Sequence, residues 1–122
     1  MNRNIRLSGL GIEIYSKDFL EMTWDLGVSY GNELGEGWRL PSPEEMRIIR
    51  SLREIPGLGN FSHYNKESDY YYWTSKEDKI DWKALRMDEN TIYAYFYDID
   101  DQATIVTRKD HEIRVRYVRD IK

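Results

Sequence analysis

The chain has 122 residues, about one domain's length, with 33% charged and 40% hydrophobic residues and a net charge of −4; these totals exclude a disordered chain and argue against a general nucleic-acid binder. It contains no cysteine, which removes disulfides, thiolate nucleophiles and cysteine metal sites together. No apolar run has the length of a signal peptide or a bilayer span, so the expected setting is cytoplasmic, with no membrane partner and no nucleic acid.

In chain order, residues 5–15 alternate loosely, and a strand is expected near Leu10–Tyr15, with Ile12 and Ile14 on one face and Glu13 on the other. "SKDF" should turn the chain. Thr23 is placed to cap a helix through "WDLGVSYGNEL", on which Gly27, Gly31 and the closing Gly35 recur at every fourth position. Each helical glycine costs about 1 kcal/mol against alanine, so close packing against other backbone is the expected compensation.

"GEGWRLPSPEEMRIIRSL", Gly35–Leu52, carries the strongest local signal. Ser42 can cap, Pro43 fits the first helical position, and Glu45 can reach back to close a capping box. Met46, Ile49 and Leu52 then form an apolar stripe, with Arg47, Arg50 and Arg53 on the wet side. Pro56 and Gly57 should end this helix, and residues 57–69 read as a loop. Strands are expected at Tyr70–Thr74, Trp82–Met87, Ile92–Ile99, Ala103–Thr107 and Ile113–Val118. The order predicts one α+β domain over 1–122, with helices packed on one side of a twisted antiparallel sheet.

Taken together, "MTWDLGVSYGNELGEGWRLPSPEEM", "YYWTSKE" and "VRYVRD" resemble a family of bacterial domains of unknown function with the C-type lectin-like fold, similar to the C-terminal domain of a collagen-like bacterial adhesin. The resemblance runs over roughly Leu10–Asp120. It implies two helices flanking the sheet, with the chain ends brought together. It also implies a structural corner: Trp38 and Leu40 in the core, Arg39 bracing through hydrogen bonds, Pro41 leading into the second helix, and Trp73 and Arg116 supporting it. Relatives often carry a disulfide where this chain has Gly31 and Tyr117. Here Tyr117 is expected to pack over Gly31 in place of the bond. The calcium- and sugar-binding motifs of true lectins, Glu-Pro-Asn or Gln-Pro-Asp with Trp-Asn-Asp, do not occur in this sequence, so calcium-dependent sugar binding does not transfer.

Several groups carry possible chemistry. Asp98–Asp101 clusters carboxylates that a hard cation would use; the alternative is a solvated turn, and no metal or other cofactor is assigned. His63 and His111 lie in no ligand-spaced motif and read as surface residues. Of the aromatic run, Tyr71 and Trp73 share one strand face and Tyr70 and Tyr72 the other. Tyr93, Tyr95 and Tyr97 alternate with Ala94 and Phe96. They form either an exposed interaction ladder or a set of cross-strand pairs stabilising their own sheet. Arg114, Arg116 and Arg119 could bind an anion or brace the fold against Asp88, Asp98 or Asp100.

The expected function is therefore non-enzymatic recognition of a protein or glycan, without calcium. The contact residues would be Tyr93, Tyr95 and Tyr97 together with His63, Tyr64 and Tyr70, because long loops on rigid sheets commonly carry binding. A second reading is a structural or accessory subunit, phage-derived or part of a larger assembly, with the tyrosine face as an oligomer contact. A third is a hydrolase using a metal at Asp98–Asp101.

Overall fold

The structure, a computed structural model, describes residues 4–16, 19–52, 70–78 and 93–121. Its elements are β1 (Ile5–Leu7), β2 (Ile12–Ile14), β3 (Phe19–Met22), α1 (Trp24–Leu34), α2 (Pro43–Ser51), β4 (Tyr71–Asp78), β5 (Tyr93–Asp98), β6 (Ala103–Arg108), β7 (Ile113–Val115) and β8 (Val118–Asp120). The chain is α+β, as the pattern of its elements predicts. The strand expected at Trp82–Met87 and the loop at 57–69 lie outside the described residues. No helix among the described residues is long and apolar enough to cross a membrane.

Two sheets form. β1, β2 and β8 make a three-stranded antiparallel sheet that brings the first and last described strands together. The other runs β3-β7-β4-β5-β6 and is antiparallel except where Tyr72 on β4 pairs in parallel with Arg114 on β7. The predicted single strand Ile113–Val118 is thus two strands in different sheets. Arg116 and Tyr117 make the crossing, held by the Tyr15 N–H donating to the Tyr117 carbonyl at 2.9 Å and Arg116 Nε donating to the Tyr15 carbonyl at 3.2 Å. Phe19, the last residue of "SKDF", opens β3, and its buried ring seats among Tyr15, Tyr30 and Tyr117; Lys17 and Asp18 lie outside the described residues.

The helices pack on opposite faces of the larger sheet, not on one side. Trp73 and Tyr72 are neighbours on β4, so they point to opposite faces. Both are fully buried. Trp73 joins Trp24, Trp38, Leu40, Ala94, Phe96 and Val115 in the α1 core. Tyr72 joins Met46, Ile49, Tyr97, Ile99 and Val118 in the α2 core.

The glycine stripe lets α1 approach. A Cβ on Gly27 would lie 3.4 Å from Val115, and one on Gly31 would lie 2.9 Å from the Tyr117 ring. Tyr117 does pack over Gly31, and its hydroxyl donates to the Gly27 carbonyl at 2.6 Å. Gly35 closes the helix at φ +71°, which glycine adopts without strain. Thr23 stands at the N-cap in extended conformation, but its side chain makes no cap bond; its carbonyl takes the Gly27 N–H at 2.9 Å.

α2 begins as predicted. Ser42 Oγ accepts from the Glu45 N–H at 3.1 Å, and Glu45 Oε1 accepts from the Ser42 N–H at 2.8 Å. Arg50 departs from the wet face expected for it: its Nε reaches the Ile99 carbonyl at 3.0 Å, tying α2 to the end of β5.

Candidate functional site

Three places gather chemistry, and their hydrogen bonding separates them. The corner Trp38–Pro41 joins four elements. Arg39 exchanges backbone bonds with Val118 on β8 at 2.8 and 2.9 Å, and its guanidinium grips Glu45 bidentately at 2.8 and 2.9 Å and Asp120 at 3.0 Å. The buried Pro41 accepts from the Ser75 N–H at 2.8 Å, which reaches β4. Trp73 Nε1 donates to the Met22 carbonyl at 2.8 Å. Arg116 is fully buried. Trp38, Arg39, Pro41, Trp73 and Arg116 are thus each buried or hydrogen-bonded to neighbouring elements.

The corner has a pH signature. Burial pushes the Glu45 carboxyl up, but hydrogen bonds from Arg39 and Ser42 outweigh it and hold the group below its ordinary value of 4.5. A depressed folded-state value contributes stability that is present above the ordinary value and lost as pH falls through the folded one. Glu45→Gln is therefore expected to cost about 1–2 kcal/mol at neutral pH and to flatten the acid limb below pH 4.5. Urea melts from pH 7 to pH 2.5 check this; an acid limb unchanged in the variant would assign the acid sensitivity to other carboxylates.

Beside the corner lies a polar cleft of about 400 Å³ lined by Arg6, Glu13, Glu36, Gly37, Arg119 and Asp120. Its charges are committed to one another. Glu13 accepts from Arg6 at 3.3 Å and from Arg119 at 3.1 Å, and Arg119 also holds Glu36 at 2.9 Å while lying 4.4 Å over the Trp38 ring. This chain of ion pairs explains how Glu13 comes to be only 6% exposed, against the outward position expected for it. Arg119 thus pairs with Glu13 and Glu36, and Arg114 and Arg116 are buried; Asp88, one of the partners expected from sequence, lies outside the described residues.

The third place is a groove of about 360 Å³ at the β6–β7 turn, lined by Tyr71, Phe96, Thr107, His111, Glu112 and Ile113. Its floor is apolar, with the Tyr71 and Phe96 rings 4.6 Å apart. Its rim is polar. Thr107 Oγ1 and His111 Nδ1 lie within hydrogen-bond distance at 2.7 Å, on an imidazole that is otherwise exposed. Glu112 is exposed and has no ion-pair partner among the described residues. Thr107 reaches His111 because the turn between β6 and β7 closes with the His111 N–H on the Arg108 carbonyl at 3.2 Å.

The predicted tyrosine ladder does not hold as a unit. Tyr97 is fully buried beneath α2 with Met46, Ile49 and Ile99. Tyr95 and Tyr93, farther from α2, are half-buried on the same face, with Lys76 Nζ 4.7 Å over the Tyr95 ring. Tyr70 packs against the α2 core and is no free platform. His63 and Tyr64 lie outside the described residues. Asp98–Asp101 is a turn: Asp98 is 4% exposed, and its Oδ1 accepts from the Asp100 and Asp101 N–H groups at 3.0 and 3.3 Å. Among the described residues no group of three or more histidine, aspartate or glutamate side chains could hold a metal ion.

The groove is not legible in the sequence: alternation leaves open which faces carrying Tyr71 and Phe96 are covered, and His111 reads there as a lone surface histidine. The available signal was Thr107 four residues before His111, which becomes a contact only once the hairpin forms.

No family model matches the chain, and no curated protein does. Among solved structures, the chain is similar to one in the complex of a von Willebrand factor mutant A1 domain with botrocetin, at a TM-score of 0.57 and 16% identity over 90% of this chain and 91% of that one. The two chains are thus of nearly equal length, and at this identity the likeness is one of fold.

Proposed function

We propose that this protein is a non-enzymatic recognition domain of C-type lectin-like fold that binds a protein ligand, without calcium, through the Tyr71–Phe96–His111 groove. The groove's composition carries the proposal. Ligand sites combine an apolar floor with a few placed polar groups, and here Tyr71, Phe96 and Ile113 provide the floor while His111 and Glu112 provide the handles. The fold assignment is supported by two helices on opposite faces of a mixed sheet, by the Trp38–Pro41 corner, and by Tyr117 filling the place over Gly31. A protein ligand is favoured because the similar solved chain belongs to a complex between proteins. The corner and the polar cleft are excluded as the ligand face because their charged groups are already paired.

The test is selection of binders from a displayed peptide library and, in parallel, a glycan array, each with calcium and then with chelator. The expected result is peptide binding that survives chelator and falls at least about tenfold, about 1.4 kcal/mol, in His111→Ala and Tyr71→Leu, but not in Tyr95→Ala. Glycan hits alone would replace the protein ligand with a sugar. Loss in chelator, or loss in Tyr95→Ala alone, would overturn calcium independence or the groove respectively.

A further inference from the structure

Among the described residues β6 forms one edge of the five-stranded sheet, and its only strand partner there is β5. An edge strand offers a row of unpaired N–H and C=O groups, and proteins usually blunt it with proline, charge or a bulge. β6, "ATIVTR", has no proline and no charge before Arg108, and it pairs with β5 in an unbroken register of six residues. The opposite edge, β3, is irregular, with a register shift between Phe19 and Met22. β6 is also open on both faces. Ile105, paired with Phe96, is 39% exposed, and Val106, paired with Tyr95, is 42% exposed. Two adjacent apolar β-branched residues, exposed on opposite faces of one regular edge, are the features of a strand that pairs further.

We propose that β6 is the pairing edge for a second copy of this chain, with the two β6 strands antiparallel about a two-fold axis. Charge decides the partner and the direction. β6 leaves an acidic turn, where Asp100 and Asp101 are exposed, and ends at exposed Arg108. Antiparallel self-pairing sets the basic end of each strand beside the acidic end of the other, whereas parallel pairing would place like charges together. A two-fold axis between antiparallel strands runs perpendicular to the sheet, so each face stays continuous and residues across the axis share a face. Centred on Ile105, the register sets Ile105 against Ile105 of the second copy, Val106 opposite Thr104, and Arg108 opposite Gln102, next to Asp101. Among the described residues the Arg108 side chain is held only by Asp110 at 3.1 Å, with both side chains more than half exposed. Such a pair is weak and can be exchanged.

The experiment is sedimentation velocity over a dilution series, with melting curves confirming that each variant is folded. The expected mass rises from 14.7 kDa towards twice that value with concentration. Ile105→Lys should raise the dissociation constant at least about tenfold, while Leu26→Lys, on the exposed face of α1, should leave it unchanged. Arg108→Glu and Asp101→Lys should each weaken association, and the double exchange should restore it. A mass of 14.7 kDa at every concentration, or a dimer indifferent to Ile105→Lys, overturns the proposal. Two weakened single variants with no rescue in the double overturn the antiparallel arrangement. Self-association is read without ligand, and ligand binding by a separate measurement, so failure here leaves the ligand groove standing, and failure of the groove leaves this edge standing.

Discussion

Gly31→Ala is expected to destabilise the protein by about 1–3 kcal/mol, the range for overpacking a filled core, even though alanine is the better helix former by about 1 kcal/mol. The new Cβ would stand 2.9 Å from Tyr117 Cε1 and 3.2 Å from the Trp38 carbonyl oxygen. Neither neighbour can retreat freely. Tyr117 is fully buried, its ring meets Phe19 at 5.2 Å, and its hydroxyl is anchored on Gly27 at 2.6 Å. The Trp38 carbonyl is backbone at the corner. Tyr117→Leu costs more by itself, because it removes a buried ring and a buried hydrogen bond together. In that background Gly31→Ala should become neutral or stabilising, since the obstruction is gone and the helix propensity remains. The four proteins of the cycle, melted in urea, should show a coupling of at least about 1 kcal/mol. Additive effects would mean that the ring does not fill the space over Gly31. Alkaline melts give a second readout. Burial, with a smaller push from Tyr30, holds the Tyr117 phenol above its ordinary value of 10.0. A raised folded-state value contributes stability that is complete below pH 10 and lost as pH rises towards the folded value; Tyr117→Leu removes that loss.

What the sequence shows of this fold depends on whether a signal is local. α2 was legible because Ser42, Pro43 and Glu45 each point to the same helix start through different physics: capping, fixed φ, and a carboxylate at the dipole's positive end. Strand β6 was legible within a residue because its β-branched run lies between two turns. β5 was legible as a strand but not as to which faces are covered. Alternation separates Phe96 from Tyr97, yet it cannot show that α1 and α2 land on opposite faces and bury both. The ladder of Tyr93, Tyr95 and Tyr97 therefore broke at the residue nearest α2. The switch from β7 to β8 was hidden for a related reason. Apolar and arginine residues alternate from Ile113 to Tyr117, and the one break, Val118 directly after Tyr117, does not by itself mark a change of sheet; the tertiary contacts of Arg116 and Tyr117 move the chain from one sheet to the other. The groove needed more still, since Tyr71, Phe96 and His111 come from three separate parts of the chain.

Trp38→Ala is expected to cost about 3–5 kcal/mol, the usual loss for a buried aromatic cut to alanine, and more than Arg39→Ala, for which about 1–2 kcal/mol is expected. Trp38 is 5% exposed, lies edge-on to Tyr15 at 4.8 Å, and carries the Arg119 guanidinium 4.4 Å above its ring. Removing the ring opens a cavity between α1 and the three-stranded sheet and leaves Arg119 without the surface it rests on. The Arg39 side chain is 37% exposed, so water can replace part of what its guanidinium loses, while its backbone bonds to Val118 survive the substitution. Trp38→Phe should recover more than half of the loss, because a ring remains to pack against Tyr15. Urea melts rank the three variants, and ligand binding measured well below their midpoints separates stability from recognition. A corner that serves the fold gives large stability losses in the order Trp38→Ala, then Arg39→Ala, with binding intact in the folded fraction. The reverse pattern, stability within about 1 kcal/mol of the parent and binding abolished, would place the ligand at the corner and leave the Tyr71–His111 groove without a role.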